Sequence, residues 1–151
     1  MHRFVLLSAL LAVGFGCTCP NWPNTKGNYC DSDFVGLFTI GRKTIPEDQP
    51  GKIYYLTRVD RVFKDTKGFT KVFPTNLVVT NSQITACGLC WLESGKQYLL
   101  NGPVVNATVD FIDPRALEVS TCVELAPTQW SEVPVDIKKT LENGGFNCTS
   151  N

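Results

Sequence analysis

The sequence lacks the histidines on which many hydrolases depend. Its one histidine is His2, which lies in a short positive stretch ahead of an apolar run. Serine and cysteine nucleophile systems need an imidazole whose pKa lies near neutrality, and many catalytic zinc sites use histidine ligands. Once the first residues are removed, these enzyme classes are excluded, and we expect no enzymatic activity.

A long apolar run is also missing. The run from Phe4 to Val13 is shorter than the roughly 20 residues that a membrane-spanning helix needs. It follows the basic Arg3 and precedes the small residues Gly14 and Gly16, which is the pattern of a secretory signal peptide. We expect cleavage after Gly16, to within one or two residues. Residues 17–151 are then expected to form one secreted domain without a membrane span.

An excess of either charge is absent as well. The 14 basic and 14 acidic residues give a formal net charge of zero, so bulk charge indicates no partner. The densest basic group consists of Arg58, Arg61, Lys64, Lys67 and Lys71. We interpret this group as a solvated face rather than a glycosaminoglycan site, and we expect no nucleic-acid partner.

Cysteine, in contrast, is abundant. Seven cysteines stand at positions 17, 19, 30, 87, 90, 122 and 148. In an exported chain they predict a disulfide framework, and six of them can pair in about fifteen ways. Cys17 and Cys19 are too close to bridge one another comfortably, so each is expected to tie the N-terminal segment to a distant part of the chain.

The segment Cys87-Gly-Leu-Cys90 has the spacing of a redox pair or of half a zinc site. No second C-x-x-C follows it, and no βαβ pattern surrounds it. Both observations favour structural disulfides over redox or metal chemistry.

Segments rich in β-branched and aromatic residues recur between turn signals. The strand candidates are residues 33–42, 52–64, 71–81, 96–101, 104–112 and 115–123. Short connections predict consecutive antiparallel strands. A bulge near Asp60 and Arg61, together with Gly36, would bend the sheet.

A short amphipathic helix is predicted near the end of the chain. Val133, Ile137 and Leu141 recur at intervals of four residues, with Pro134 in the first turn and Gly144 after the last. The whole pattern predicts a mainly β fold, a closed OB-type barrel of five or six strands with a C-terminal helix. A two-sheet sandwich is the alternative.

Two sequons match the N-glycosylation pattern, Asn106-Ala-Thr108 and Asn147-Cys-Thr149. The first is the more usable acceptor. The second carries a cysteine in its middle, and early disulfide formation there would hide it.

Several short motifs occur in a characteristic order. They are Cys17-Thr-Cys-Pro20, Asn28-Tyr-Cys-Asp-Ser-Asp33, Phe63-Lys-Asp-Thr-Lys-Gly-Phe69, Thr85-Ala-Cys-Gly88, Tyr98-Leu-Leu-Asn-Gly102, Ser120-Thr-Cys122 and the segment from Ala126-Pro127 to Trp130. In this order and spacing the chain resembles the N-terminal inhibitory domain of the tissue inhibitors of metalloproteinases, a netrin-like OB barrel.

The resemblance implies a disulfide pairing. Carried onto this sequence, the family pairs are Cys17–Cys87, Cys19–Cys122 and Cys30–Cys148, which leaves Cys90 over. Full-length vertebrate-type members have a second disulfide-rich domain, whereas this sequence stops at Asn151. The expectation is therefore an inhibitory domain alone, over residues 17–151.

The resemblance also implies a mechanism. The α-amino nitrogen and carbonyl oxygen of Cys17 would chelate the catalytic zinc of a target protease, and the protein would need no cofactor of its own. Thr18 would point into the protease pocket. The implied inhibitory ridge consists of Cys17, Thr18, Cys19, Pro20, Asn21, Thr85, Ala86, Cys87 and Gly88.

The implied partners are matrix metalloproteinases or related zinc metalloproteases, with extracellular matrix as a further partner. The alternative is a non-inhibitory netrin-like module that binds matrix or signalling proteins. Such modules bury the C-x-C motif inside a longer chain, whereas here the motif directly follows the predicted signal. This position favours inhibition.

Three features depart from the family pattern. Residues 20–30 are one residue longer than usual and contain Pro23 and Gly27, which predicts a short or distorted first helix. The loop over residues 41–51 is polar and brief, which predicts reduced contact with a protease. Cys90 is compatible with a free buried thiol, with a cross-link between two molecules, or with competition against Cys87 for Cys17.

Overall fold

The computed structural model describes residues 17–19, 25–71, 76–107, 115–126 and 128–149. Over these residues the fold is mainly β. In chain order the elements are α1 (Thr25–Asp31), β1 (Phe34–Thr44), β2 (Lys52–Asp65), β3 (Asn76–Asn81), β4 (Gln97–Gly102), β5 (Val104–Asn106), β6 (Arg115–Glu118) and α2 (Val135–Glu142). Single 3-10 turns cover Phe69–Lys71, Ile84–Ala86 and Trp130–Glu132. Among the described residues, no helix is long and apolar enough to cross a membrane.

The strands form one six-stranded sheet in the order β4-β1-β2-β3-β6-β5. The pairs β1–β2, β1–β4, β2–β3 and β5–β6 are antiparallel. β3 and β6 pair in parallel, with Val78 opposite Leu117 and Val79 opposite Glu118. The prediction of consecutive antiparallel strands is therefore confirmed for β1–β2, β2–β3 and β5–β6. It was wrong for β3 and β4, since β3 pairs in parallel with β6 and β4 pairs with β1.

The two edge strands of the sheet, β4 and β5, are consecutive in sequence, so the sheet must curl to bring them together. Only Pro103 separates them. Residues from the two adjacent strands hold this junction in place. Asp33 N, just before β1, donates to Gly102 O at 3.0 Å, and Glu118 N at the end of β6 donates to Pro103 O at 3.0 Å. In the described part of the chain no ladder joins β4 to β5. The predicted closed barrel is therefore not confirmed, and the observed form is a curled six-stranded sheet.

The predicted bulge in the second strand is confirmed. Leu37 pairs with Arg61 and Phe38 with Val59, so Asp60 is an extra residue on β2. A further register shift falls between Val35 and Gly36. A Cβ at Gly36 would lie 2.8 Å from the carbonyl oxygen of Arg61, so glycine permits the close approach of the two strands.

The main core lies inside the curl of the sheet. Its fully buried members include Phe34, Phe38, Ile40, Ile53, Tyr55, Val78, Leu89, Leu100 and Leu117. A second cluster packs both helices against the sheet, with Tyr29 from α1 and Leu141 from α2. The amphipathic C-terminal helix is thus confirmed: Val133 and Leu141 are buried, and Ile137 is half-buried. Gly144 follows its end with a φ of 99°.

Three strands are shorter than their sequence patterns. β3 begins at Asn76, and residues 72–75 of the predicted segment lie outside the described residues. β5 ends at Asn106, and residues 108–114 also lie outside. β6 ends at Glu118 because the chain then turns away: Thr121 N donates to Cys87 O at 3.0 Å and Cys122 enters a disulfide.

Candidate functional site

Three disulfides link distant parts of the chain. Cys17 is bonded to Cys87, Cys19 to Cys122 and Cys30 to Cys148, with Cα separations of 5.0, 5.2 and 5.5 Å. These are the pairs that the family resemblance implies. Cys90 is the free cysteine, and its side chain packs partly buried against the main core.

Two of the disulfides lie side by side. The Sγ atoms of Cys17, Cys19, Cys87 and Cys122 all lie within 4.8 Å of one another. Cys122 Sγ is 3.5 Å from Cys17 Sγ and 3.4 Å from Cys87 Sγ. Four cysteine thiolates at such distances could hold a metal ion, but sulfurs bonded in disulfides are not thiolate ligands. The arrangement therefore serves to join three chain segments at one point.

The segment from Gln83 to Gly88 forms a tight turn at this junction. Cys87 has a φ of 59°, in the left-handed region that non-glycine residues seldom adopt. The turn is closed by hydrogen bonds from Cys87 N to Ile84 O at 2.9 Å and from Gly88 N to Gln83 O at 3.0 Å. Asn81 Nδ2 donates to Ala86 O at 2.7 Å and supports the turn from β3. Its tip, Ile84 to Ala86, is exposed.

Gly88 is buried where no side chain fits. A Cβ at this position would collide with the carbonyl oxygen of Asn81 and would lie 3.0 Å from that of Gln83. Glycine therefore lets the turn lie directly against the end of β3, which fixes the direction of Cys87 toward Cys17.

Two threonines that the sequence analysis did not name as site residues support the same junction. Thr80 is fully buried, and its hydroxyl donates to Val119 O at 2.8 Å while accepting from Leu89 N at 2.9 Å. Thr121 N donates to Cys87 O at 3.0 Å, and its Oγ1 lies 3.5 Å from Cys17 Sγ. Thr80 gives no sequence signal within a β-rich segment, whereas Thr121 is marked only by its neighbour Cys122.

These contacts assemble most of the predicted ridge. Cys17 and Cys19 are half-buried and Thr18 between them is exposed, beside the exposed Thr85 and Ala86. Pro20 and Asn21, which the resemblance also places on the ridge, lie outside the described residues. A shallow depression borders the turn, lined by Pro50, Gly51, Ser82, Gln83 and Ala86. The loop before β2 therefore reaches the neighbourhood of the ridge.

Glu124, two residues after Cys122, has a buried carboxyl group. Glu124 Oε2 accepts a hydrogen bond from Asn101 N at 3.2 Å, and Oε1 has no hydrogen-bond partner within the described part of the chain. Burial raises the pKa of Glu124 well above its ordinary value, against the smaller lowering effect of the Asn101 N–H. The backbone carbonyl of Glu124 also accepts from Asn28 Nδ2 at 3.2 Å, which connects the ridge segment to α1.

Most of the basic residues singled out by sequence have local partners. Arg58 pairs with Asp60 at 2.7 Å, and Arg61 pairs with Glu142 at 2.8 Å. Lys64 Nζ donates to the carbonyl oxygens of Tyr29 and Cys30, both at 2.8 Å, near the end of α1.

Both candidate glycosylation acceptors are exposed. Asn106 stands at the end of β5, although Thr108 of its sequon lies outside the described residues. Asn147 Oδ1 accepts hydrogen bonds from the N–H and hydroxyl of Thr149, at 3.0 and 2.7 Å.

Comparison with known proteins adds two findings. The family model of the UNC-6/NTR/C345C module, NTR, matches residues 27–139. Metalloproteinase inhibitor 3 of Scyliorhinus torazame is 25% identical over 144 residues, which are 92% of this chain and 60% of that protein. The chain therefore spans 60% of the length of this relative.

Proposed function

Since the chain belongs to the family of NTR (UNC-6/NTR/C345C) modules, we propose that it is a secreted inhibitor of zinc metalloproteases and not an enzyme. The observation that carries the proposal is the double disulfide junction. It joins the segment Cys17–Cys19, in which Thr18 is exposed, to the exposed turn at Ile84–Ala86. The similarity to a protein named metalloproteinase inhibitor supports the same function.

The chemistry of the ridge rests on the backbone of Cys17. A catalytic zinc keeps one coordination position open for water, and a ligand that occupies this position stops hydrolysis. Signal cleavage before Cys17 would free its α-amino group, which together with the carbonyl oxygen can chelate the zinc. An α-amino group has a pKa of about 7.7–8, so losing its proton costs little near neutral pH.

The thiol takes no part in this chelation, because the Cys17 sulfur is bonded to Cys87. That bond instead fixes the direction of the backbone before docking. Thr18 would enter the protease pocket beside the metal, and Pro20, Asn21, Thr85 and Ala86 would flank it, while the buried Gly88 would hold the turn against β3. A ridge that is ordered before binding loses less conformational entropy when it binds.

A single inserted residue tests the mechanism. We expect that one alanine added before Cys17 abolishes inhibition of a matrix-type metalloprotease, because it moves the free amine away from the carbonyl of Cys17. The extended protein should keep its thermal unfolding midpoint and its three disulfides. The matched control is Val135→Ala on α2, an exposed position on another element, which should inhibit like the wild type. Equal potency of the extended protein would contradict zinc chelation by Cys17.

One observation favours a second function, a module that binds matrix or signalling proteins without inhibition. The matched residues 27–139 do not include Cys17 or Cys19. If this function is correct, wild type and the alanine-extended protein will bind matrix components equally, and neither will inhibit a metalloprotease.

A further inference from the structure

The two ridge disulfides lie in van der Waals contact through one sulfur. Cys122 Sγ lies 3.5 Å from Cys17 Sγ and 3.4 Å from Cys87 Sγ, while its own bond is to Cys19. All four cysteines are half-buried, so the cluster is not sealed from solvent. We infer that this sulfur cluster is a thiol-exchange site, at which one small thiol breaks both ridge disulfides in sequence.

The first step is attack by an external thiolate on the Cys17–Cys87 bond. Disulfides exchange through attack of a thiolate on one sulfur, which forms a mixed disulfide and expels the other sulfur as a thiolate. Attack at Cys17 gives a Cys17–thiol mixed disulfide and a Cys87 thiolate. Attack at Cys87 gives the reverse. Either product places a thiolate next to Cys122.

In the second step the side chain of the released cysteine rotates until its thiolate is in line with the Cys19–Cys122 bond, and it attacks Cys122 Sγ. A new bond forms, Cys87–Cys122 or Cys17–Cys122, and the Cys19–Cys122 bond breaks. Cys19 leaves as a thiolate and takes a proton from water. Disulfides are conserved in number throughout, so no oxidant or reductant is consumed beyond the one thiol. Both routes therefore converge on release of Cys19.

The two routes differ in what they leave attached. After attack at Cys17, the new Cys87–Cys122 bond joins two segments of the folded domain to each other, and the segment 17–19 loses both of its tethers. After attack at Cys87, the segment stays attached through Cys17 alone. In both products the rigid junction described above is gone. If the chain inhibits as proposed, thiol exchange switches that inhibition off.

Cys30–Cys148 provides an internal control. It belongs to no cluster of cysteines among the described residues, so a thiolate released there has no second disulfide to attack. Reduction at this bond should stop at a mixed disulfide and one free thiol.

The test uses reduced glutathione on the secreted, processed protein. The reaction is quenched with acid at intervals, free thiols are alkylated, and the disulfides are mapped by peptide mass spectrometry. We expect alkylated Cys19 together with a new Cys122 bond to Cys87 or Cys17, with one glutathione bound per molecule at the ridge. The same products should form in Cys90→Ala, which removes the remaining thiol of the chain.

Two results would overturn the inference. One is glutathione bound at Cys17 or Cys87 while Cys19–Cys122 stays intact. The other is reaction at Cys30–Cys148 alone. Inhibition of a metalloprotease is measured on the same samples and should fall in parallel with the appearance of free Cys19. A protein that never inhibits but shows the expected disulfide map would contradict the proposed function. It would still support the exchange site.

Discussion

At the scale of single residues, the site depends on groups that burial places in unusual states. Glu124 is fully enclosed, and its Oε1 finds no hydrogen-bond partner among the described residues. The neutral acid is favoured over the carboxylate in such surroundings. At neutral pH the residue therefore lowers the stability of the fold, against the favourable bond that Oε2 accepts from Asn101 N.

Glu124→Gln should stabilise the protein at neutral and alkaline pH. The pKa of Glu124 is raised in the folded state, so above the unfolded pKa the unfolded chain releases a proton that the folded protein retains. Wild-type stability therefore falls as pH rises from about 4.3 toward the folded pKa, and the glutamine variant lacks this loss. Thermal unfolding midpoints should differ little at pH 4 and by several degrees at pH 8.

The control for this experiment is Glu118→Gln, which changes a carboxylate on a partly exposed side chain that pairs with Lys52 at 3.1 Å. It should change the midpoint only slightly, because surface ion pairs contribute about 0–1 kcal/mol. A Glu124→Gln variant that is less stable than wild type at pH 8 would mean that the carboxylate has a partner in the folded protein.

Gly88→Ala should destabilise the fold and weaken the proposed inhibition. The added Cβ meets the carbonyl oxygen of Asn81 at the end of β3 and that of Gln83 in the turn, and such overpacking costs about 1–3 kcal/mol. Gly51→Ala is the matched control, since nothing lies within 4 Å of its Cβ position. Urea unfolding should separate the two variants, with the control within about 0.5 kcal/mol of wild type.

At the scale of elements, α2 is held to the sheet by a row of ring and cation contacts. Phe63 on β2 stacks on Trp130 with ring centroids 5.9 Å apart. Lys138 Nζ lies 5.1 Å from the Trp130 ring, and the guanidinium of Arg61 lies 5.3 Å from the Phe63 ring. The Trp130 ring therefore links β2 to α2 through both of its contacts.

Trp130→Ala should loosen α2 without affecting the ridge. The loss of one aromatic pair and one cation–π contact, with the burial that accompanies them, predicts a decrease of about 2 kcal/mol in the free energy of unfolding. The control is Val135→Ala on α2, where the valine side chain is 64% exposed. It should lower the free energy of unfolding by less than about 0.5 kcal/mol. Unchanged urea unfolding of Trp130→Ala would show that other contacts hold the helix.

The elements also show where sequence reasoning succeeds. The content of β-branched and aromatic residues between turn signals located β1, β2 and β4, and the bulge near Asp60 was also predicted, because these signals depend on neighbours along the chain. The parallel pairing of β3 with β6 was not predictable in this way. It depends on a long crossover and on the turn that carries Thr121 and Cys122 away from the sheet. Cysteine spacing indicated the ridge. The roles of Thr80 and Gly88 could not be predicted, because they depend on contacts between backbone segments that are distant in sequence.

At the scale of the whole molecule, the three disulfides close loops of different length. The sequence separations are 70 residues for Cys17–Cys87, 103 for Cys19–Cys122 and 118 for Cys30–Cys148. The last bond ties the far end of the described chain to α1, beside the contact of Phe146 with Tyr29, whose ring centroids are 5.3 Å apart.

Removal of the longest loop should reduce stability while sparing the ridge. In the chain-entropy model, a closed loop of this length contributes about 5 kcal/mol. We expect Cys30→Ala with Cys148→Ala to lower the urea midpoint strongly, while inhibition at low temperature stays near that of the wild type. Loss of inhibition in a variant that is still folded by circular dichroism would show that the α1 region orders the ridge.

The overlapping order of these three loops has a consequence for a protein that approaches a protease. Every peptide bond between residues 17 and 148 lies inside at least one of the closed loops, and those between 30 and 87 lie inside all three. A single proteolytic cut anywhere in this span therefore releases no fragment. The nicked molecule keeps its mass on a non-reducing gel and separates into two pieces only after reduction.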